Sequence, residues 1–192
     1  MIETTTFALG CFWDPDARFG ILEGVLITQV GYCGGTHPAK PTYPSIGDYT
    51  ESIQIEFDSS RISFHELLSC FNQWHVPNTV KTRSQYAAAV FYHNHEQYQQ
   101  ICQLNIENVR IELLKEFHLA EERHQKYNFK RTIMETDIFG CKEDWESKDK
   151  QMITKLNGFL AGYGTFEQFQ EWEKRKELTW KQQQYIKDKL KQ

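Results

Sequence analysis

Polar and apolar residues alternate through "ESIQIEFD" (51–58), the period-two pattern of a half-buried strand. "TTTFALG" (4–10), rich in β-branched residues and closed by glycine, predicts a strand running into a turn. Residues 14–24 predict a helix, with Asp14 as its cap and Pro15 in the first turn, where a missing N–H costs little. "GVLITQVGY" (24–32) reads as a second strand, and the glycine- and proline-rich "CGGTHPAKPTYPSIGDY" (33–49) as loop. In "SFHELLSCFNQWH" (63–75), Ser63 followed by Glu66 is a capping box, and Leu67, Leu68 and Phe71 fall at helical spacing. "YAAAVFYH" (86–93) is a short strand. "HEQYQQICQLNIENVRIELL" (95–114) is either one long amphipathic helix or a helix followed by a strand.

The order β-α-β-β-α-β predicts an α+β fold: a two-layer sandwich of a mixed β-sheet with helices, in the manner of a ferredoxin-like plait. From about residue 132 the pattern changes. "FEQFQEWEKRKELTWKQQQYIKDKLKQ" (166–192) sets Phe166, Phe169, Trp172, Leu178, Trp180 and Tyr185 among Lys, Glu and Gln. It predicts an amphipathic tail helix folded back on the core, so that 132–192 form a mostly helical C-terminal extension.

Composition narrows the class. A chain of 192 residues, 40% hydrophobic, can bury a sizeable core, and a net charge of −4 argues against a nucleic-acid partner. The N-terminus lacks a basic segment and a long apolar run, and no stretch reaches membrane-spanning length, so neither a signal peptide nor a membrane association is expected. Five cysteines, widely spaced and without a C-x-x-C pair, suit a reducing, cytoplasmic setting better than a disulfide framework or zinc finger. His93 and His95 read as solvated loop residues without a third metal ligand.

The stretch "GCFWDPD" (10–16) concentrates candidate chemistry. A cysteine in a strand-to-helix turn can sit at the positive end of a helix dipole, which would favour the thiolate and lower its pKa. Phe12 and Trp13 could then wall an apolar slot for a methyl or thioether group. The alternative is an ordinary buried edge of the core, since free cysteine is among the most buried residue types.

"GCFW", "VGYCGG", "PTY", "ISFHELLSCFNQWH", "SQYAAAVFYH" and "AEERHQKY" follow one another through residues 5–131. In this order they resemble the motifs of the A-type peptide methionine sulfoxide reductases, so 1–131 is expected to be the catalytic domain. The resemblance implies that Cys11 attacks the sulfoxide sulfur while Phe12 and Trp13 cradle the S-methyl group. Tyr32 and Tyr86 would hold the departing oxygen. The products would be methionine and a cysteine sulfenic acid, which a second thiol converts to a disulfide for reduction by a thioredoxin-type donor. The implied substrates are oxidised proteins bearing methionine S-sulfoxide, and possibly the free amino acid; no cofactor or metal is needed, and a monomer suffices.

The departures from the family pattern bear on the acid and on recycling. The family's glutamate after PTY is absent, with Ser45 in its place. Asp48 is then the nearest carboxylate that could serve, and Glu51 matches the glutamate of the family's GH-x-E. Tyr49 replaces the histidine of that motif, and Lys81 stands where an aspartate is missing. Cys141, in the extension, and Cys33, beside Tyr32, are the rival recycling thiols, while Cys70 and Cys102 read as packing residues. Glu121, His124 and Tyr127 read as structural support. Without a competent acid, the same pocket would suit a module that binds oxidised methionine, or a sensor that switches through Cys11 and Cys33.

Overall fold

The computed structural model describes residues 1–191 except 38, 78–83, 105, 142–144, 146–147 and 175–177, so Lys81 lies outside the described residues. The chain runs β1 (Ile2–Leu9), α1 (Trp13–Gly20), β2 (Val25–Cys33), β3 (Thr50–Asp58), α2 (Phe64–Trp74), β4 (Ala88–Tyr92), α3 (His95–Leu104), β5 (Arg110–Leu113) and β6 (His118–Leu119). Four further α-helices follow: α4 (Tyr127–Glu135), α5 (Lys150–Leu160), α6 (Phe166–Glu173) and α7 (Trp180–Lys189). The segment 95–114 is thus a helix followed by a strand.

The strands form one mixed sheet in the order β5-β4-β1-β3-β2-β6. Only the β4–β5 pairing is parallel among the described pairs. Register decides which side chains share a face. Phe7 lies opposite Ile53, and Ile53 opposite Val30. Phe7 and Ile53, with Ile55 and Phe57, present an apolar face to Phe19 of α1, to Leu67, Leu68 and Phe71 of α2 and to Ile101 of α3, while Val30 packs with Phe12 and Tyr32. Each such side chain, once buried, contributes about 1.5–3 kcal/mol. The capping box of α2 forms as its sequence predicts: Ser63 accepts from the Glu66 N–H, and the Glu66 carboxylate accepts from the Ser63 N–H at 2.8 Å.

Two local expectations are corrected. Asp14 does not cap α1. Phe12 holds that position without a side-chain bond, and Asp14 lies inside the first turn, paired with Arg18 at 3.1 Å one turn on. The tail is not a single helix either. Within 166–192, α6 ends at Glu173 and α7 begins at Trp180, while Gly162 and Gly164, at φ of 84° and 86°, separate α5 from α6. Thr165 with Gln168 and Thr179 with Gln182 then supply fresh capping boxes for α6 and α7.

These helices build a second core around Phe139, Trp145, Phe159, Phe169 and Ile186, to which Phe129 of α4 also belongs. Because α4 spans Tyr127–Glu135, a boundary at 131/132 falls inside a helix. The two cores meet at a buried carboxylate. Asp16 of α1 is fully buried and accepts from Thr28 Oγ1 of β2 at 2.6 Å and from Lys126 Nζ at 2.7 Å. Its second oxygen accepts from the Lys126 N–H and from Asn157 Nδ2 of α5, each at 3.2 Å.

Removing one partner of a buried ion pair strands the other charge. Lys126→Met is therefore expected to lower unfolding stability by about 3–5 kcal/mol, measured by urea denaturation. A loss below 1 kcal/mol would contradict this role of the pair.

Candidate active site

At the end of β1, Gly10 turns the chain with φ of 87°, a value that favours glycine, and delivers Cys11 to the position just before Phe12, the N-cap of α1. Cys11 is exposed at the surface, so the buried-core alternative for this thiol does not hold. Its pKa is nonetheless raised. Partial burial pushes it up, the Trp13 N–H pulls it down, and the charges of Glu51 and Asp14 push it up again. The expected lowering by the helix end is outweighed by desolvation and by two neighbouring carboxylates.

Glu51 stands at the start of β3, directly across from Tyr32 on β2, so both side chains leave the sheet on the helix-covered face. Its carboxylate is almost wholly buried and accepts from the Phe12 N–H at 3.0 Å and from Gln85 Nε2 at 2.6 Å. Burial raises its pKa against those two donors. The charge on Glu51 acts on Cys11, Tyr32 and Tyr86 alike, which makes it the common neighbour of the predicted site.

Tyr32 is fully buried, its ring 5.9 Å from that of Phe12, and its hydroxyl donates to Glu121 Oε2 at 2.8 Å. Burial and that bond raise its pKa strongly. The other Glu121 oxygen accepts from the Tyr43 N–H at 2.9 Å, which fastens the PTY loop to the site. Burial alone would raise the Glu121 pKa. The N–H groups of Tyr43 and of Glu121 itself, the Tyr32 hydroxyl and His124 outweigh it and hold the pKa low. Tyr86 is 53% exposed, at the rim. Burial raises its pKa, as do Glu51, Tyr43 and Cys11.

The aromatic wall is deeper than the Phe12–Trp13 pair. Trp13 stacks on Tyr127 at 3.8 Å with 7° between the planes. His124 packs on Phe12, Trp13 and Tyr43 at 5.4, 5.8 and 4.6 Å. Burial and the neighbouring Arg123 lower the His124 pKa, and its Nε2 accepts from Arg123 Nε at 3.2 Å. Glu121, Tyr43, Gln85 and His124 were not anticipated as site residues. Their signals lay in the "AEERH", "PTY" and "SQY" stretches that carry the resemblance.

Two predicted residues are not brought to this cluster. Asp48 is bound by the Thr36 N–H at 2.9 Å, the Thr36 hydroxyl at 2.7 Å and the His37 N–H at 3.0 Å. The Thr36 bonds foremost, with the His37 N–H, hold its pKa at about 2, which no general acid can use. Asp48 closes its loop and is withdrawn as the acid. Cys33 is fully buried and follows Tyr32 on the strand, so it points to the opposite face, among Ala8, Ala89 and Phe91. Burial pushes its thiol up to about 12 despite the Ser52 hydroxyl, so it is inert, and the sheet separates it from Cys11. Cys141 is exposed, after Gly140 in the C-terminal half, and none of the five cysteines is joined in a disulfide among the described residues.

Cys70 is half-buried on α2 and Cys102 exposed on α3, while His93 is tied to Thr6 Oγ1 at 2.9 Å rather than solvated. Among the described residues no cluster of three or more potential ligands could hold a metal, and no helix is long and apolar enough to cross a membrane. A cavity of about 510 Å³ lined by Ile27, Phe129, Trp145 and Ile153 contains none of the residues around Cys11.

Comparisons with known proteins agree with this geometry. The family model for peptide methionine sulfoxide reductase matches residues 3–157. A peptide methionine sulfoxide reductase of Drosophila melanogaster is 36% identical over 95% of this chain and 78% of its own length. One from Methanococcoides burtonii is 38% identical over 66% of this chain and 95% of its own. Among solved structures, reduced Mxr1 of Saccharomyces cerevisiae superposes with a TM-score of 0.57 at 25% identity, covering 66% of this chain and 83% of that one. With the family model matching most of the chain and relatives above 30% identity along it, the chain belongs to the peptide methionine sulfoxide reductase family.

Proposed function

We propose that this chain reduces methionine S-sulfoxide in oxidised proteins, with Cys11 as nucleophile and Glu51 as the acid. The observation that carries the reading is the placement of Glu51: a buried carboxylate with a raised pKa, sharing its surroundings with Cys11, Tyr32 and Tyr86.

The Cys11 sulfur attacks the sulfoxide sulfur while the S-methyl group rests on Phe12 and Trp13. The S–O bond breaks as the oxygen is transferred, leaving methionine and a sulfenic acid on Cys11. Charge develops on the oxygen during this step, and neutral donors in a dry setting stabilise it best. Tyr86 and protonated Glu51 supply them. In the resting arrangement the Tyr32 proton is committed to Glu121. Tyr32 must therefore exchange that partner before it can donate to the oxygen, and ionised Glu121 acts as the orienting group.

Thiolate and acid exchange one proton between them. Glu51, while ionised, repels the thiolate, and protonating it removes that repulsion. The one-proton form of the pair exists between the elevated Glu51 pKa and the elevated Cys11 pKa, and activity occupies that window. A competent acid removes the reason to read a binding-only module, and the position of Cys33 removes the proposed Cys11–Cys33 sensor.

A second thiol then condenses with the sulfenic acid and releases water. Cys141 is the candidate, supported by its exposure, with a thioredoxin-type dithiol as final reductant. Five widely spaced cysteines without a C-x-x-C pair support a reducing compartment such as the cytoplasm. The order β4-β1-β3-β2 supports reading the central strands as a ferredoxin-like plait. Residues 132–192 are read as an extension to the catalytic 1–131, joined to it through α4.

Glu51→Gln is expected to lower dithiothreitol-driven turnover of a methionine sulfoxide peptide by about 10²–10⁴-fold. The same variant should shift Cys11 alkylation to lower pH, because a like charge beside the thiolate is gone; a shift to higher pH would refute the pairing. Asp48→Asn should leave turnover within about twofold of wild type, as for a loop residue. Cys141→Ser should keep turnover with dithiothreitol and lose it with thioredoxin, whereas Cys33→Ser should keep both. The reverse pattern would transfer the recycling role to Cys33.

A further inference from the structure

The two carboxylates of "GCFWDPD" each meet a residue from the C-terminal third of the chain. Asp16 accepts from Asn157 Nδ2 at 3.2 Å, and the Oδ1 of this fully buried asparagine accepts from the Phe129 N–H at 3.1 Å. Asp14 accepts from the Tyr163 hydroxyl on one oxygen and pairs with Arg18 on the other at 3.1 Å. The Arg18 guanidinium also lies over the Tyr163 ring, 5.0 Å from its centre. Farther along, Lys155 Nζ donates to the Leu22 carbonyl just beyond α1, at 2.6 Å.

These contacts run the length of α1, whose N-cap, Phe12, directly follows the nucleophile. The two helices approach so closely that a Cβ on Gly158 would lie 2.0 Å from Ile21 Cγ2 and 2.6 Å from the Ala17 carbonyl oxygen. Such an interface tolerates little sliding.

Each acid leads to a different part of the site. Asp16 holds Lys126, a non-glycine residue at φ of 52°, and the next residue, Tyr127, stacks on Trp13. Asp14 lies three residues from Cys11. The titratable groups facing that thiol are Asp14 of α1, Glu51 of β3 and Tyr86. Of the anions, Glu51 serves the reaction, whereas Asp14 only opposes thiolate formation unless its charge is compensated. Arg18 and Tyr163 supply that compensation.

We infer that Asn157 and Tyr163 are positioning residues of the reductase site: Tyr163 compensates Asp14 beside Cys11, and Asn157 locks the Asp16–Lys126 turn that sets the Trp13 wall. The inference rests on the proposed sulfoxide reduction and gives the C-terminal segment a part in it. Neither residue touches substrate.

The test uses the full-length chain. The pH midpoint of Cys11 alkylation is read by mass, and kcat and KM by reduction of a methionine sulfoxide peptide with dithiothreitol. Tyr163→Phe keeps the ring under Arg18 and removes one donor to Asp14. It should move the alkylation midpoint to higher pH and lower kcat/KM by roughly two- to tenfold, the worth of one hydrogen bond. Adding Asp14→Asn to Tyr163→Phe should return the midpoint to the wild-type value or below. Asn157→Ala should raise KM and leave the midpoint in place, which separates the two routes. Tyr163→Phe with midpoint and kcat/KM both unchanged would overturn the inference. A wild-type chain that fails to reduce the peptide would overturn the proposed function instead.

Discussion

A carboxylate with no exposed surface is the constraint on which the architecture turns. Asp16 is ionisable and sits where water cannot reach it, a placement that costs several kcal/mol unless its oxygens are satisfied. They are satisfied by groups from three directions: Thr28 on β2, Lys126 at the entry to α4, and Asn157 on α5. None of these contacts survives if its element moves away. The charge thus makes the position of α1 conditional on the sheet and on both helices, and α1 in turn carries Trp13 and begins two residues after Cys11.

Around the thiol, two glutamates of the same chemistry are driven in opposite directions. Glu51 is sunk behind Phe12 and Gln85, where burial outweighs its two donors and favours the protonated form. Glu121 accepts enough N–H and O–H groups to outweigh its burial and stays ionised. One can therefore give a proton while the other holds a phenol in place. Environment, rather than residue type, assigns the roles.

Much of this was legible in the residues. The alternation in 51–58 and the Ser63–Glu66 box specify β3 and α2 locally, since each depends only on near neighbours. The motif series located Cys11, Tyr32, Tyr86 and Glu51. What failed was judgement by nearness along the chain. Asp48 and Glu51 are three residues apart, yet one sits in a turn that binds it through Thr36 and His37 while the other begins a strand facing the core. Tyr32 and Cys33 are adjacent, but a strand sends them to opposite faces. The tail misled for another reason: an apolar stripe at helical spacing says nothing of where one helix stops at Glu173 and a new cap, Thr179 with Gln182, starts the next.

The isolation of Cys33 has a chemical consequence for the oxidised enzyme. The sheet is a partition, with a protonated thiol sealed among Ala89 and Phe91 on one side and Cys11, the sulfur proposed to take the oxygen, on the other. No internal collision across that partition can quench the intermediate. Its lifetime is set by thiols arriving from the solvent side, and by how they compete there with further oxidants.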